Sequence, residues 1–316
     1  MFRKDEVTGK VDPYALGPSE YIRTMASVAL CLSAVCGTSM YSNINSTSES
    51  NTTIPLRFLH MGYGAGSLMR FLGKAIPESK HVAIDLDPTV VDAAVQLDLL
   101  DAQCEQLVVG DALEYSLLSS LPSSKLSLSS PRFHSVCIDV FDGSNIMPPG
   151  FYSVPFLEKI YKDLLQQQQE SGDSDNYTFV IHNFHIGTKR LAVQLKDAMA
   201  SYRSVFGSGA NASYCCNDDD HNDDNGEDPN DEHSNHYNKQ QTGQSRVQHL
   251  LYKVDSLSTN NHGGNTILIA ILQNTQNNKN TNAQTLSLLE LAALARERWG
   301  FERFNIASRI TNAQPF

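Results

Sequence analysis

Arg57-Phe58-Leu59-His60-Met61-Gly62-Tyr63-Gly64-Ala65-Gly66-Ser67-Leu68 carries a short apolar run into a glycine-rich turn and leaves it as a helical pattern. A second apolar run, Val82-Ala83-Ile84, follows and ends on an acid, Asp85. Strand, Gly-x-Gly-x-Gly turn, helix, strand and acid is the order in which an α/β fold presents a nucleotide. The glycines let the backbone come close to a ligand, and the helix N-terminus leaves N–H donors free. An acid ending the second strand can accept hydrogen bonds from both ribose hydroxyls.

On the C-terminal side the alternation continues. Leu68, Phe71 and Leu72 face the sheet from a helix over 67–75, which Pro77 ends. Asp87 serves as N-cap before Pro88, and the next helix turns Val90, Val91, Ala94 and Leu97 inward. Gln106 to Val109 reads as a third strand, closed by Gly110-Asp111-Ala112 and a short helix through Leu118. Phe133 to Asp139 is a fourth strand ending on an acid, with a turn-rich loop from Val140 to Pro149 behind it. A helix over 153–168 places Phe156, Leu157, Ile160 and Leu164 on one face. Tyr177 to Asn183 is a fifth strand, and a helix over 189–202 follows. Two β-rich runs, 250–254 and 266–272, close the chain with a last helix over 285–299. The sum is an α/β fold: a Rossmann-like, seven-stranded, mostly parallel sheet with helices on both faces and a C-terminal antiparallel strand pair.

On the N-terminal side, residues 1–41 form a segment with one helix, introduced by Pro18-Ser19-Glu20. Tyr21, Met25, Val28, Ala29 and Leu32 recur there at helical spacing, as a packing helix or a lid. Residues 42–55 are a Ser/Asn/Thr-rich linker, and 56–316 are the α/β domain. Within it, about 208–246 is a disordered acidic insertion. The formal charge is -11 on 316 residues, yet nine of the 35 acids fall between Asp218 and Glu232, leaving 26 acids against 24 basic residues elsewhere. The acidity is therefore local, and no basic stripe points to nucleic acid. The apolar run from Met25 to Cys36 is too short to span a bilayer. Six scattered cysteines without CxxC spacing, and a charged N-terminus, suit a reduced intracellular, cytoplasmic setting. His221, Asp223, Asn225, Gly226 and Glu232 mimic a calcium loop, but it starts on His and lacks helical flanks, so no metal site is expected.

In open sheets of this kind, ligands sit at the C-terminal strand ends. Those ends carry Gly62 to Gly66, Asp85, Asp111, Asp139 and Asp142. Several successive strand-end acids are hard to justify as packing, because each would be desolvated without a partner. No Gly-Lys-Ser/Thr follows the turn, so it is not a P-loop. The further acids would repel a pyrophosphate and suit a cationic ligand with an uncharged ribose.

Four stretches together resemble a known family: Gly62-Tyr63-Gly64-Ala65-Gly66-Ser67-Leu68, Ile84-Asp85-Leu86-Asp87-Pro88, Val109-Gly110-Asp111-Ala112 and Ile138-Asp139-Val140-Phe141-Asp142. They look like the motifs of class I S-adenosylmethionine-dependent methyltransferases in their spermidine-synthase-like branch. The resemblance covers roughly residues 14–200. It implies S-adenosylmethionine as cofactor. Gly62, Tyr63, Gly64 and Gly66 would lie against its methionine part, and Asp85, with Leu86 beside it, would hold the ribose. Asp111 and Ala112 would meet the adenine, and Asp139 would sit near the cofactor's amino group or reacting end.

The branch holds two chemistries. Aminopropyltransferases of polyamine biosynthesis take decarboxylated S-adenosylmethionine, and Asp142 matches the acid that orients or deprotonates their attacking amine. This chain departs from them at Ala65, where they carry Asp, and at Ile22-Arg23-Thr24, where they carry a Tyr-Gln-Glu type triplet. The other members are methyltransferase-like proteins, including those that methylate translation elongation factor, and Tyr21-x-x-x-Met25 with the Gly-Ser-Leu turn resembles them. Methyl transfer is then the expected activity, with catalysis supplied largely by positioning. The acceptor is a protein or a small-molecule amine, held by Asp142, Phe141 and the Asn183-Phe184-His185 stretch, with His185 a candidate general base. A homodimer through the final strands and helix, and a non-catalytic protein on the same fold, are the remaining possibilities.

Overall fold

The computed structural model describes residues 20–36, 55–100, 103–117, 132–171, 177–186, 189–207, 247–256, 264–274, 290, 293 and 313–316. Eight strands are described: β1 (Arg57–Met61), β2 (Lys80–Asp85), β3 (Cys104–Val109), β4 (Ser135–Ile138), β5 (Tyr177–His185), β6 (Val247–Asp255), β7 (Asn265–Asn274) and β8 (Gln314–Pro315). They form one sheet in the order β3-β2-β1-β4-β5-β7-β6-β8. β1 to β5 run parallel, and β7, β6 and β8 add antiparallel. The expected seven strands are present, and β8 adds two paired residues, Pro315 opposite Tyr252 and Gln314 opposite Lys253.

The parallel core explains why the strands read as unbroken apolar runs. Helices cover both faces, so β1 and β4 are buried along their whole length. Helix α1 (Glu20–Cys36) and α2 (Ser67–Ala75) pack on one face, against Phe58, Cys137, Phe179 and Ile181. A 3-10 turn (Pro149–Tyr152), α4 (Val154–Ser171) and α5 (Lys189–Phe206) pack on the other, against Leu59, Met61, Val136, Ile138 and Val180. Helix α3 (Pro88–Gln96) sets Ala94 against Ala83. Each such Leu, Ile, Val or Phe contributes about 1.5–3 kcal/mol when fully buried.

Helix α1 is buried nearly all round from Thr24 to Ala34, not on a single stripe. Its polar residues tolerate this because Thr24, Ser27 and Ser33 donate their hydroxyls to the carbonyls of Glu20, Arg23 and Ala29, four residues back.

Two local expectations change. No helix follows Asp111 among the described residues, which run to Leu117. The segment to Leu117 is a series of turns whose backbone is satisfied by α4 side chains: Lys159 Nζ donates to the Leu113 carbonyl, Gln167 Nε2 donates to that of Leu117, and Asp163 accepts from the Leu117 N–H. Leu97 points outward, 61% exposed, because α3 stops at Gln96 and Asp98 takes a positive φ of 50°. Leu99 then takes the inward place. The linker at 42–55, apart from Pro55, the insertion at 208–246, and the final helix, apart from Glu290 and Ala293, lie outside the described residues. Among the described residues no helix is long and apolar enough to cross a membrane.

The strand order reverses between β1, which leads outward to β2, and β4, which leads to β5. Crossovers diverge there and open a crevice at the C-terminal ends of the strands. The glycine turn leaves β1 and Asp139 leaves β4 at that point.

Candidate functional site

Each glycine of the turn has its own reason. Gly62, Gly64 and Gly66 have φ of 86°, 52° and 67°. A Cβ at Gly62 would collide with the backbone carbonyl of Asp139, so β1 and β4 meet there without side-chain spacing. A Cβ at Gly66 would collide with the Tyr63 ring. That ring is buried, with its hydroxyl 3.4 Å from the Leu99 carbonyl, so Tyr63 offers the crevice its backbone and not its side chain. Gly64 alone faces open space, with nothing within 4 Å of its would-be Cβ. Gly66 places no side-chain cap on α2, which leaves the first-turn N–H groups to the crevice.

The acids hold distinct environments. Asp85 Oδ2 accepts from the N–H groups of Tyr63 and Gly64, both at 3.0 Å, and Oδ1 accepts from Asp87 N–H at 3.0 Å. A carboxylate has about four acceptor positions, so three are spent on shaping the turn. Asp111 is exposed and accepts from Leu113 N–H at 2.9 Å. Asp142 is exposed, and its Oδ1 gathers the loop by accepting from Ser144 N–H (2.8 Å) and Ile146 N–H (2.9 Å). The far end of that loop is fixed by Met147, whose sulfur takes the Nε2 proton of buried His182 at 2.8 Å.

Asp139 differs from the other three. It is half-buried, accepts from Asn183 Nδ2 at 2.9 Å and takes a further hydrogen bond from the Tyr21 hydroxyl. Asn183 is held in turn by Asn265 Nδ2 at 3.0 Å. Desolvation outweighs both hydrogen bonds and pushes the Asp139 pKa up from 3.8 to about 6. The same burial, with the Asp139 charge, raises the pKa of Tyr21. No described cation forms an ion pair with Asp139.

These groups surround one cavity of about 690 Å³. Its wall includes Gly62 to Ala65, Asp85, Leu86, Asp111, Ala112, Asp139, Phe141 and Asp142, with Tyr21 and Ile22 from α1. No cluster of three or more metal-ligating side chains occurs among the described residues.

The chain aligns over 99% of its length, and 85% of the other's, with the structure of a protein described as a probable spermidine synthase from Corynebacterium glutamicum, at 17% identity and a TM-score of 0.50. The two share a Rossmann-like α/β fold. A second solved structure, human methyltransferase-like protein 13 in complex with SAH, aligns over 89% of this chain and 92% of that one at 16% identity and a TM-score of 0.46. In sequence, 114 residues are 29% identical to a mouse eEF1A lysine and N-terminal methyltransferase. That match spans 34% of this chain and only 15% of the mouse protein. No protein-family model matches the chain.

Within this fold, nearly all the residues named from sequence gather at the cavity. Gly62, Tyr63, Gly64, Asp85, Leu86, Asp111, Ala112, Asp139 and Asp142 line it, and Gly66 shapes the turn behind it. His185 does not line it. It ends β5 opposite Asn265. Among the lining residues that were not singled out as site residues from sequence, two bear on the cavity's chemistry, Tyr21 and His60. Tyr21 appeared as a position on a packing or lid helix and in the Tyr21-x-x-x-Met25 pattern, and its hydroxyl reaches Asp139. His60 was one letter of an apolar run, yet it is 97% buried at the cavity wall, and its Nε2 lies 2.9 Å from His81 Nδ1. Two-residue alternation was the available signal: His60 and His81 fall on the same face of neighbouring strands as Phe58.

Proposed function

We propose that this chain binds S-adenosylmethionine and transfers its methyl group to an amine, with a protein amine the favoured acceptor. The observation that carries the reading is the Asp139 wall: a half-buried carboxyl with no described cationic partner, beside an open glycine backbone and two more strand-end acids in one cavity. That donor and charge set fits an adenosyl group bearing positive charge, and fits a pyrophosphate badly. When bound, the cofactor supplies a methyl group activated by its sulfonium.

The chain's own residues bind and orient. Gly64 presents open backbone to the ligand, and the uncapped first turn of α2 offers N–H donors to a carboxylate. Asp85, with three acceptor positions spent on the turn, has room for one ribose hydroxyl before the turn must yield. Leu86 and Ala112 give apolar surface beside Asp111 for the adenine. Asp142 has one oxygen turned into its own loop and a second available to an incoming amine. The resemblance of 114 residues to a lysine and N-terminal methyltransferase supports an amine acceptor. Aminopropyl transfer is disfavoured because Ile22 is apolar at the cavity, the Thr24 hydroxyl is spent on the Glu20 carbonyl, and Arg23 pairs with Glu20 at 3.0 Å.

Isothermal titration with S-adenosylmethionine, its decarboxylated form and methylthioadenosine tests this. Binding led by S-adenosylmethionine supports methyl transfer. Tight preference for the decarboxylated form overturns it, and binding of none of the three overturns the adenosyl site itself.

A further inference from the structure

We propose that His60 Nδ1 and the Asp139 carboxylate form a two-acceptor seat for a primary ammonium group at the inner wall of the cavity. Three buried side chains, Ser79, His81 and His60, fix one another's proton positions. Ser79 Oγ donates its single proton to the Ile76 carbonyl at 2.6 Å. The same oxygen lies 2.8 Å from His81 Nε2, so it must accept there, and His81 Nε2 carries a proton. His81 Nδ1 is therefore bare and accepts from His60 Nε2 at 2.9 Å. The tautomer assigned by this network leaves His60 Nδ1 as a lone-pair acceptor with no partner among the described residues.

His60 is 97% buried and lines the cavity. Burial holds its pKa down to about 3, so the ring stays neutral and Nδ1 stays an acceptor at physiological pH. His60 lies opposite Cys137, and Asp139 follows two residues further along that strand on the same face. Strand spacing puts the two Cα atoms about 8 Å apart. Side chains leaning toward one another from that distance can share an ammonium, whose donors reach acceptors about 5 Å apart. A neutral acceptor beside a carboxylate suits a group with three N–H donors and excludes a carboxylate.

Two sources carry this chemistry: the amino-acid end of the adenosyl-sulfonium cofactor, and an amine of the acceptor. Assigning the ammonium to the cofactor's end rests on the function proposed above, whereas the seat itself rests on the two acceptors.

The test uses the full chain and three variants. His60→Phe removes the acceptor while keeping a ring to stack with His81. His81→Phe touches no ligand but removes the group that fixes the His60 tautomer. His60→Gln, which can donate to His81 and accept from the cavity, restores binding in part. Three probes are titrated: S-adenosylhomocysteine, which has the ammonium; methylthioadenosine, which lacks it; and n-propylammonium, with and without methylthioadenosine. Loss of a hydrogen bond to a charged group predicts about ten-fold or more weakening of the ammonium-bearing probe. Selective loss for S-adenosylhomocysteine in both Phe variants, with methylthioadenosine unchanged, supports the seat and names the cofactor as source. Selective loss for n-propylammonium alone supports the seat with the acceptor as source. Equal weakening of all probes, or none, overturns it. If the wild-type chain binds neither adenosyl probe, the proposed function falls, and n-propylammonium alone decides the seat.

Discussion

Replacing Asp139 with Asn is expected to stabilise the fold at alkaline pH and leave it unchanged at acid pH. The folded state holds this carboxyl at about 6 against 3.8 for the free group. A raised folded-state pKa favours the protonated form, so its stabilising contribution is fully present below about pH 4 and is lost as pH rises through about 6. The gap of roughly two units corresponds to about 3 kcal/mol, carried by the wild type as an unfavourable buried charge above that window. Asn keeps the local geometry: its Oδ1 can accept from Asn183, and its Nδ2 can donate to the Tyr21 oxygen. Urea unfolding of both proteins at pH 4, 6 and 8 is the assay. The variant should match wild type at pH 4, gain at pH 6, and gain up to about 3 kcal/mol at pH 8. Its affinity for S-adenosylmethionine should fall over the same range. A gain independent of pH, or a loss of stability at pH 8, would refute the claim that desolvation dominates this carboxyl. The expected trade is stability held back at a site that needs charge.

Tyr21→Phe removes a hydrogen bond that lowers the Asp139 pKa, so the carboxyl should titrate above about 6. The acid limb of ligand affinity, measured from pH 5 to 8, should move to higher pH, and a profile that does not move contradicts the contact. Gly62→Ala drives a methyl into the Asp139 carbonyl at positive φ, and thermal melts should show a loss of about 1–3 kcal/mol or more. Asp85→Ala should abolish cofactor binding by calorimetry, since it removes the proposed ribose acceptor and three bonds that shape the turn, whereas His185→Ala should leave affinity unchanged. Excising 212–244 should leave cofactor binding intact, and loss of binding would show that the acidic stretch contributes to the site.

The sheet was legible because parallel strands buried on both faces write themselves as continuous apolar runs, and β1, β2, β4 and β5 do so. Helix α2 was legible to the residue, between its glycine turn and Pro77. What escaped was set by tertiary partners. The turns after Asp111 depend on Lys159, Asp163 and Gln167 some 46 to 50 residues away, which no local pattern announces. β8 is two residues long and exists only through its pairing with β6. At the site, the acids could be read because an acid at a strand end has no packing excuse. Tyr21 and His60 could not, because their roles arise from meeting Asp139 and His81 across the fold. His185 stands at the end of β5, but it is not among the residues that line the cavity.

The turn's three glycines look interchangeable in a pattern, yet they would drift very differently over evolutionary time. Gly62 answers to a backbone, which cannot move aside, and so should be fixed. Gly64 answers only to its own φ and to whatever ligand approaches it. Gly66 answers to its own φ and to the Tyr63 ring, a side chain that can itself be replaced. Positions 63 and 66 should therefore vary as a couple: a relative with a small residue at 63 is freer to carry Asn, which tolerates the left-handed backbone, at 66, while one that keeps the tyrosine must keep the glycine.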